Sequence, residues 1–185
     1  MRRLRLTFLV VVLMVATVAS AQFSWGVQGG LNLSSLRYEG GVSSDIRPGL
    51  NIGVLADYSF APNMSIRSGL HFTLKGSLQH IVGGKSPSFL NLPYLQIPIH
   101  FAYRINVVPR TRFVFHAGPY IAANPFNSSR VQYNPFDFGV GLGVGTESGR
   151  FLTGIGWDMG LIDISNFEHG SARNRNVSLT VGYRF

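Results

Sequence analysis

With 185 residues and no cysteine, the chain is long enough for one domain with a sizeable core, but has no thiol for a disulfide, a metal site or an acylated N-terminal anchor. Charged residues make up 13% of it, against 12% aromatics and 22 glycines, which excludes a charge-rich disordered tail. The formal net charge of +8 is scattered, and no Lys/Arg-rich run follows the first few residues, so nucleic acid is not an expected partner.

Residues 1–21 read as a cleavable secretory signal peptide. Arg2, Arg3 and Arg5 form a basic start, residues 6–18 are apolar apart from Thr7 and Thr17, and Ala19-Ser20-Ala21 is a small-residue cleavage pattern. The apolar run is short for a spanning helix. The mature domain is then 22–185, and no part of it offers a long enough apolar run for a spanning helix either.

The mature chain alternates apolar and polar residues with a period of two. Val177, Leu179, Val181, Tyr183 and Phe185 alternate with Asn176, Ser178, Thr180, Gly182 and Arg184, and Phe136, Phe138, Val140, Leu142 and Val144 with Asp137 and a row of glycines. Eight such segments are predicted: 23–36, 47–60, 64–76, 92–105, 111–122, 136–145, 150–162 and 175–185. Each is long enough to cross a bilayer as a tilted strand of roughly 9–11 residues, and the even number suits a single-chain bacterial barrel. Short connections (61–63, 106–111, 145–149) alternate with long ones (38–46, 77–91, 123–135, 163–174). The expectation is an all-β, eight-stranded antiparallel up-and-down transmembrane barrel, with periplasmic termini and four external loops. Phe23, Trp25, Tyr58, Phe60, Tyr103, Phe113, Phe151, Tyr183 and Phe185 are then expected to form one interfacial girdle.

Periodicity alone does not say which face is outside. A water-soluble barrel would need a well-charged outer face, whereas the polar face here is mostly Gly, Ser, Asn and Thr. Small residues and a few large polar groups fit a narrow tube, so the bulky apolar face is placed in lipid. The expected lumen set is Gln28, Asn32, Asp57, Arg67, His71, Lys75, Gln96, His100, Arg104, Arg112, His116, Asp137, Asp158 and Arg184, joined in an ion-pair and hydrogen-bond network with no open pore. Pro93, Pro98 and Pro119 fall in or beside strands, where a closed barrel has no free edge to excuse a missing N–H, so bulges or local ladder breaks are expected on the fourth and fifth strands.

The segments Trp25-Gly26-Val27-Gln28-Gly29-Gly30-Leu31-Asn32-Leu33-Ser34, Ser65-Ile66-Arg67-Ser68-Gly69-Leu70, Tyr94-Leu95-Gln96-Ile97-Pro98-Ile99, Ala117-Gly118-Pro119-Tyr120 and Asp137-Phe138-Gly139-Val140-Gly141-Leu142-Gly143 occur in an order that resembles the PorT-like outer-membrane β-barrel family of Bacteroidota. The resemblance covers essentially the whole mature chain and implies an eight-stranded outer-membrane barrel. The namesake's part in protein export across the outer membrane is a role the resemblance does not transfer. An apolar last strand ending in Phe185 resembles the signal read by the barrel-assembly machinery, the expected partner during biogenesis.

Catalytic chemistry finds little support. His71, His100 and His116 are expected inside the barrel, while Ser68 would point outward, so no nucleophile–base set is indicated. The three histidines lack a short metal-ligand motif, and no cofactor is expected. Asp137 and Asp158 can form a close carboxylate pair or each meet a lumen arginine. The alternating glycines from Gly139 to Gly145 lack the helix a phosphate loop requires. Arg47, Lys85, Arg130, Arg173 and Arg175 in the long connections are candidate lipopolysaccharide contacts, because guanidinium binds phosphate bidentately. The leading expectation is a non-enzymatic scaffold that presents external loops for envelope interactions. The alternatives are a component of an export or assembly system, a barrel enzyme acting on lipid or peptide, and a narrow solute channel.

Overall fold

A computed structural model describes residues 22–38, 45–79, 88–125, 134–163 and 172–185. The expected signal peptide lies outside them. Eight strands close into an antiparallel barrel in chain order, with the first paired to the last. They are β1 (Phe23–Tyr38), β2 (Arg47–Ala61), β3 (Met64–Gln79), β4 (Ser88–Val108), β5 (Thr111–Ala123), β6 (Phe136–Ser148), β7 (Phe151–Gly160) and β8 (Ala172–Arg184). Closure leaves no free edge, which a sheet in hydrocarbon requires because lipid supplies no hydrogen-bond partner.

Every predicted segment is a strand, but most run further than the apolar pattern does. At one end, called here the terminal end because it holds Phe23 and Phe185, the chain turns tightly at Pro62-Asn63, Pro109-Arg110 and Gly149-Arg150. There β6 continues through Ser148, so Glu147 belongs to a strand and not to the predicted 145–149 turn. At the opposite loop end, β3, β4 and β8 extend into the predicted long connections, and Ser88–Val108 spans 21 residues.

The bulky apolar face points outward. Leu31, Ile52, Leu179 and Val181 are each about 60% exposed or more, while Asn32, Asp57, Lys75 and Asp137 are buried inside. The aromatic girdle forms at the terminal end as a chain of ring contacts: Trp25 meets Phe185 at 4.3 Å, Phe185 meets Tyr183 at 5.5 Å, and Tyr183 meets Phe151 at 5.5 Å. Phe60 adds a contact to Phe101, a wall residue absent from the predicted girdle.

The pattern inverts at the loop end. Leu36, Leu92, Tyr94, Tyr120, Ala122 and Ala172 cluster inside, while Arg37 and Arg173 point outward. The expectation of a lumen filled only by small and polar groups fails here. Where the wall leaves hydrocarbon its outer face meets water, so charge becomes favourable outside and apolar burial inside.

Pro98 and Pro119 interrupt pairing without shifting it. Between β3 and β4 the ladder lapses from Ser68↔Ile99 to His71↔Gln96, and between β4 and β5 from Pro98↔Tyr120 to Phe101↔Ala117. Both are local breaks, not bulges. The Ser68 hydroxyl, on the lipid face, donates to the Pro98 carbonyl at 2.8 Å and so satisfies one group the break frees. Pro93 stays in register opposite Leu74. The register shifts, at Ser59/Ala61 and Asn106/Val108, sit beside the terminal-end turns.

Candidate functional site

The lumen is filled in three layers. The first, at the terminal end, is a charge cluster built from inward residues of β2, β3, β4, β5 and β6 together with Arg184 at the end of β8. Glu147 accepts from Arg67 Nη2 (2.6 Å), Arg104 Nε (3.1 Å), Arg112 Nη2 (2.9 Å) and both terminal nitrogens of Arg184 (3.1 and 2.7 Å). Asp57 accepts from Arg67 (2.8 Å) and Arg104 (2.6 Å), and Arg104 also donates to Ser65 Oγ at 2.7 Å. Four guanidiniums thus surround two carboxylates, leaving a formal excess of two positive charges. Sequence reasoning named all of these except Ser65 and Glu147. Glu147 was legible as the next inward position after Gly139, Gly141, Gly143 and Gly145.

The middle layer gathers His71, His100, His116, Gln96 and Asp158. His100 and His116 stack with their Nδ1 atoms 3.0 Å apart, and Gln96 Nε2 donates to Asp158 Oδ2 at 3.1 Å. Glycines make room for these rings. A Cβ on Gly143 would lie 2.6 Å from His116 Nε2, and one on Gly141 would lie 2.9 Å from His100 Nε2. The layer borders a cavity of about 110 Å³ that Gln28 also lines. Asn51 Nδ2, His71 Nε2, Gln96 Oε1, His100 Nε2 and Asn176 Oδ1 have no hydrogen-bond partner among the described residues and belong to residues lining this cavity. Such atoms call for water, and the volume accommodates several molecules. Among the described residues no three His, Cys, Asp or Glu side chains gather as metal ligands.

The third layer surrounds Lys75. Its Nζ lies 3.6 Å from Asp137 Oδ2 and over the rings of Tyr120 (4.5 Å) and Tyr94 (5.5 Å). Asp137 also accepts from Tyr120 Oη and Asn174 Nδ2. Among the described residues Asp137 and Asp158 therefore form neither a carboxylate pair nor arginine pairs: a lysine and two neutral donors hold the first, a glutamine amide the second. Asn32 Nδ2 of β1 reaches over Gly49 of β2 and donates to the Leu74 carbonyl of β3. The apolar cluster around Leu36, with Tyr94 and Tyr120, lies at this end of the lumen.

The candidate lipopolysaccharide residues separate. Arg47 is a correction: it is buried, and its Nη1 donates to the Lys75 carbonyl at 3.0 Å, because its strand parity turns it into the lumen. Lys85 and Arg130 lie outside the described residues. Arg173 and Arg175 are on the outward face of β8. Arg37 of β1, not anticipated from the sequence, stands directly opposite Arg173 in the ladder and shares that outer face.

A family model described as an outer membrane protein beta-barrel domain matches residues 18–166. No curated protein matches the sequence. Among solved structures, neisserial surface protein A is similar at a TM-score of 0.54 and 16% identity, with 87% of this chain and 97% of that one covered. Ail, the attachment invasion locus protein of Yersinia pestis, is similar at 0.51 and 15%, covering 89% and 99%. These likenesses support the fold, and the fold, the lipid-type wall and the family match agree: the chain belongs to the outer membrane protein β-barrel domain family and is a small eight-stranded barrel of the outer membrane.

Proposed function

We propose that the chain is a non-catalytic scaffold, a PorT-like member of its family, with its terminal end in the periplasm and a loop end that holds lipopolysaccharide phosphates and offers the long connections to envelope partners. The observation that carries this reading is the register pair Arg37↔Arg173, with Arg175 the next outward residue of β8. Like charges directly opposite in a sheet are destabilising. A phosphate between them turns that repulsion into charge-assisted bidentate contact. The patch also sits where the wall changes from Leu33 and Val177 to arginine, the level at which lipid headgroups meet the protein. The layered lumen favours a scaffold over a solute channel. The outward Ser68, already committed to Pro98, and the inward His71 favour a non-catalytic role.

The test is a lipopolysaccharide titration of the folded chain in detergent, read by its thermal unfolding. Lipopolysaccharide should raise the unfolding temperature of the natural chain, and R37S/R173S/R175S should lose that rise while folding normally. An equal rise in both would remove the reading. Discrete large conductance in planar bilayers would refute the sealed lumen.

A further inference from the structure

We infer that the terminal end carries a preformed recess for the phosphate of a membrane phospholipid. This site is separate from the loop-end arginines and shares with the proposed function only the placing of the barrel in a bilayer.

The recess lies between the β4–β5 and β6–β7 turns and has a volume of about 780 Å³, bounded by Val107, Val108, Arg110, Arg112, Glu147 and Arg150. That is ample for a headgroup. The two turns are fixed to each other, since the Gly149 N–H donates to the Arg110 carbonyl at 2.9 Å. The cations are therefore held on a braced frame and not on independent loops.

Its charge is one-sided. Arg110 and Arg150 are exposed, and among the described residues no acid pairs with either; Arg150 donates only to the neutral Tyr183 Oη, at 3.3 Å. The one carboxylate in the recess wall, Glu147, already accepts from four arginines inside the lumen. Behind the recess stands the lumen cluster with its unbalanced positive charge, and Arg112, a third exposed, connects the two. An anion entering here meets cations with no competing acid.

The backbone points the same way. Arg110 has φ of 69°, in the left-handed region that Gly or Asn enters at far lower cost. A strained arginine where glycine would be easier marks the side chain as the useful part of the position.

The apolar lining selects the source of the phosphate. Val107 and Val108 are more than half exposed and continue the lipid-facing wall below Ile105 and Phe113. A phospholipid can place its phosphate against Arg110 and Arg150 and its acyl chains down that wall. A free phosphate would leave the valines bare.

The experiment uses the folded mature chain in neutral detergent micelles with equal phosphatidylglycerol and phosphatidylcholine, no lipopolysaccharide, and counts phospholipid retained after purification. Phosphatidylglycerol should be enriched over phosphatidylcholine. R110G, which relieves the backbone while removing the cation, and R110G/R150S should lower that enrichment, the double variant by about tenfold or more. R173S at the other end should leave it unchanged, and excess inorganic phosphate should not displace the lipid. Equal retention of the two lipids, or unchanged retention by folded R110G, would overturn the inference. Displacement by inorganic phosphate would overturn the assignment to lipid. Because this assay omits lipopolysaccharide, its failure leaves the loop-end reading standing, and the reverse also holds.

Discussion

Replacing Glu147 by Gln removes one negative charge from a site where five nitrogen contacts from four arginines converge. The shape barely changes. The carboxamide keeps one acceptor, but it turns an N–H toward guanidiniums that cannot accept. Asp57 is left as the carboxylate facing Arg67, Arg104 and Arg184, while Arg112 loses its ion pair with Glu147. Each charge-assisted bond is worth about 1.5–3 kcal/mol alone, yet bonds sharing one acceptor do not add. Stranding buried guanidiniums is better compared with breaking a buried ion pair, at about 3–5 kcal/mol. Partial exposure of Arg112 lets one of the four reach water and favours the lower figure. Reversible urea unfolding in phospholipid vesicles, followed by the fluorescence of Trp25 and Trp157, reads this directly. With a denaturant slope of about 2 kcal/mol per molar, the midpoint should fall by about 1.5–2.5 M. Asp158→Asn is the control, since among the described residues its side-chain hydrogen bond is to Gln96, and it should cost less than about 1.5 kcal/mol. If Glu147→Gln cost no more than that control, the idea that this carboxylate organises the terminal end would be wrong.

Three further outcomes are expected. Ser68→Ala should cost about 1 kcal/mol and speed amide exchange beside Pro98, because the break then loses the hydroxyl that the Pro98 carbonyl accepts from; unchanged exchange at Ile97 and Ile99 would contradict this. Gly143→Ala should cost about 1–3 kcal/mol, since its methyl would occupy the space of the His116 ring and press on the Ile155 carbonyl, and Gly143→Ala/His116→Ala should recover only the part of that loss due to the ring in the same unfolding assay. Deleting Phe185 should reduce assembly into the outer membrane more than Phe185→Tyr does, because tyrosine keeps the ring against Trp25; equal, normal assembly of both would count against the assembly signal.

Strand number, face assignment and most of the lumen were legible because a period of two is a strong signal wherever the wall contacts lipid. Val177 to Phe185 and the glycine row opposite Phe138 to Val144 declare their faces outright. The signal fades where the wall does not touch hydrocarbon. Glu147 was missed because a charged residue after glycine resembles a turn, although the alternation continues through it. Arg47 was misplaced for the converse reason: a charged residue near a long connection resembles a loop, while its parity sends it inside. The Leu36–Tyr94–Tyr120 cluster ran against the rule that apolar residues face out, because that rule belongs to lipid and not to the barrel. The Arg37↔Arg173 pair depends on the closing register of β1 with β8, which no local pattern encodes.

The most direct measurement follows from the absence of cysteine, which permits single-site labelling along β8 without background. Spin labels at Val177, Ser178, Leu179, Thr180 and Val181, with the protein in phospholipid bilayers, would report collisions with lipid-soluble oxygen and with a water-soluble nickel chelate. Oxygen accessibility should alternate, high at Val177, Leu179 and Val181 and low at Ser178 and Thr180, with the chelate excluded from the three apolar positions. High chelate accessibility at those three, or oxygen accessibility favouring Ser178 and Thr180, would contradict a wall that turns its apolar side chains to lipid.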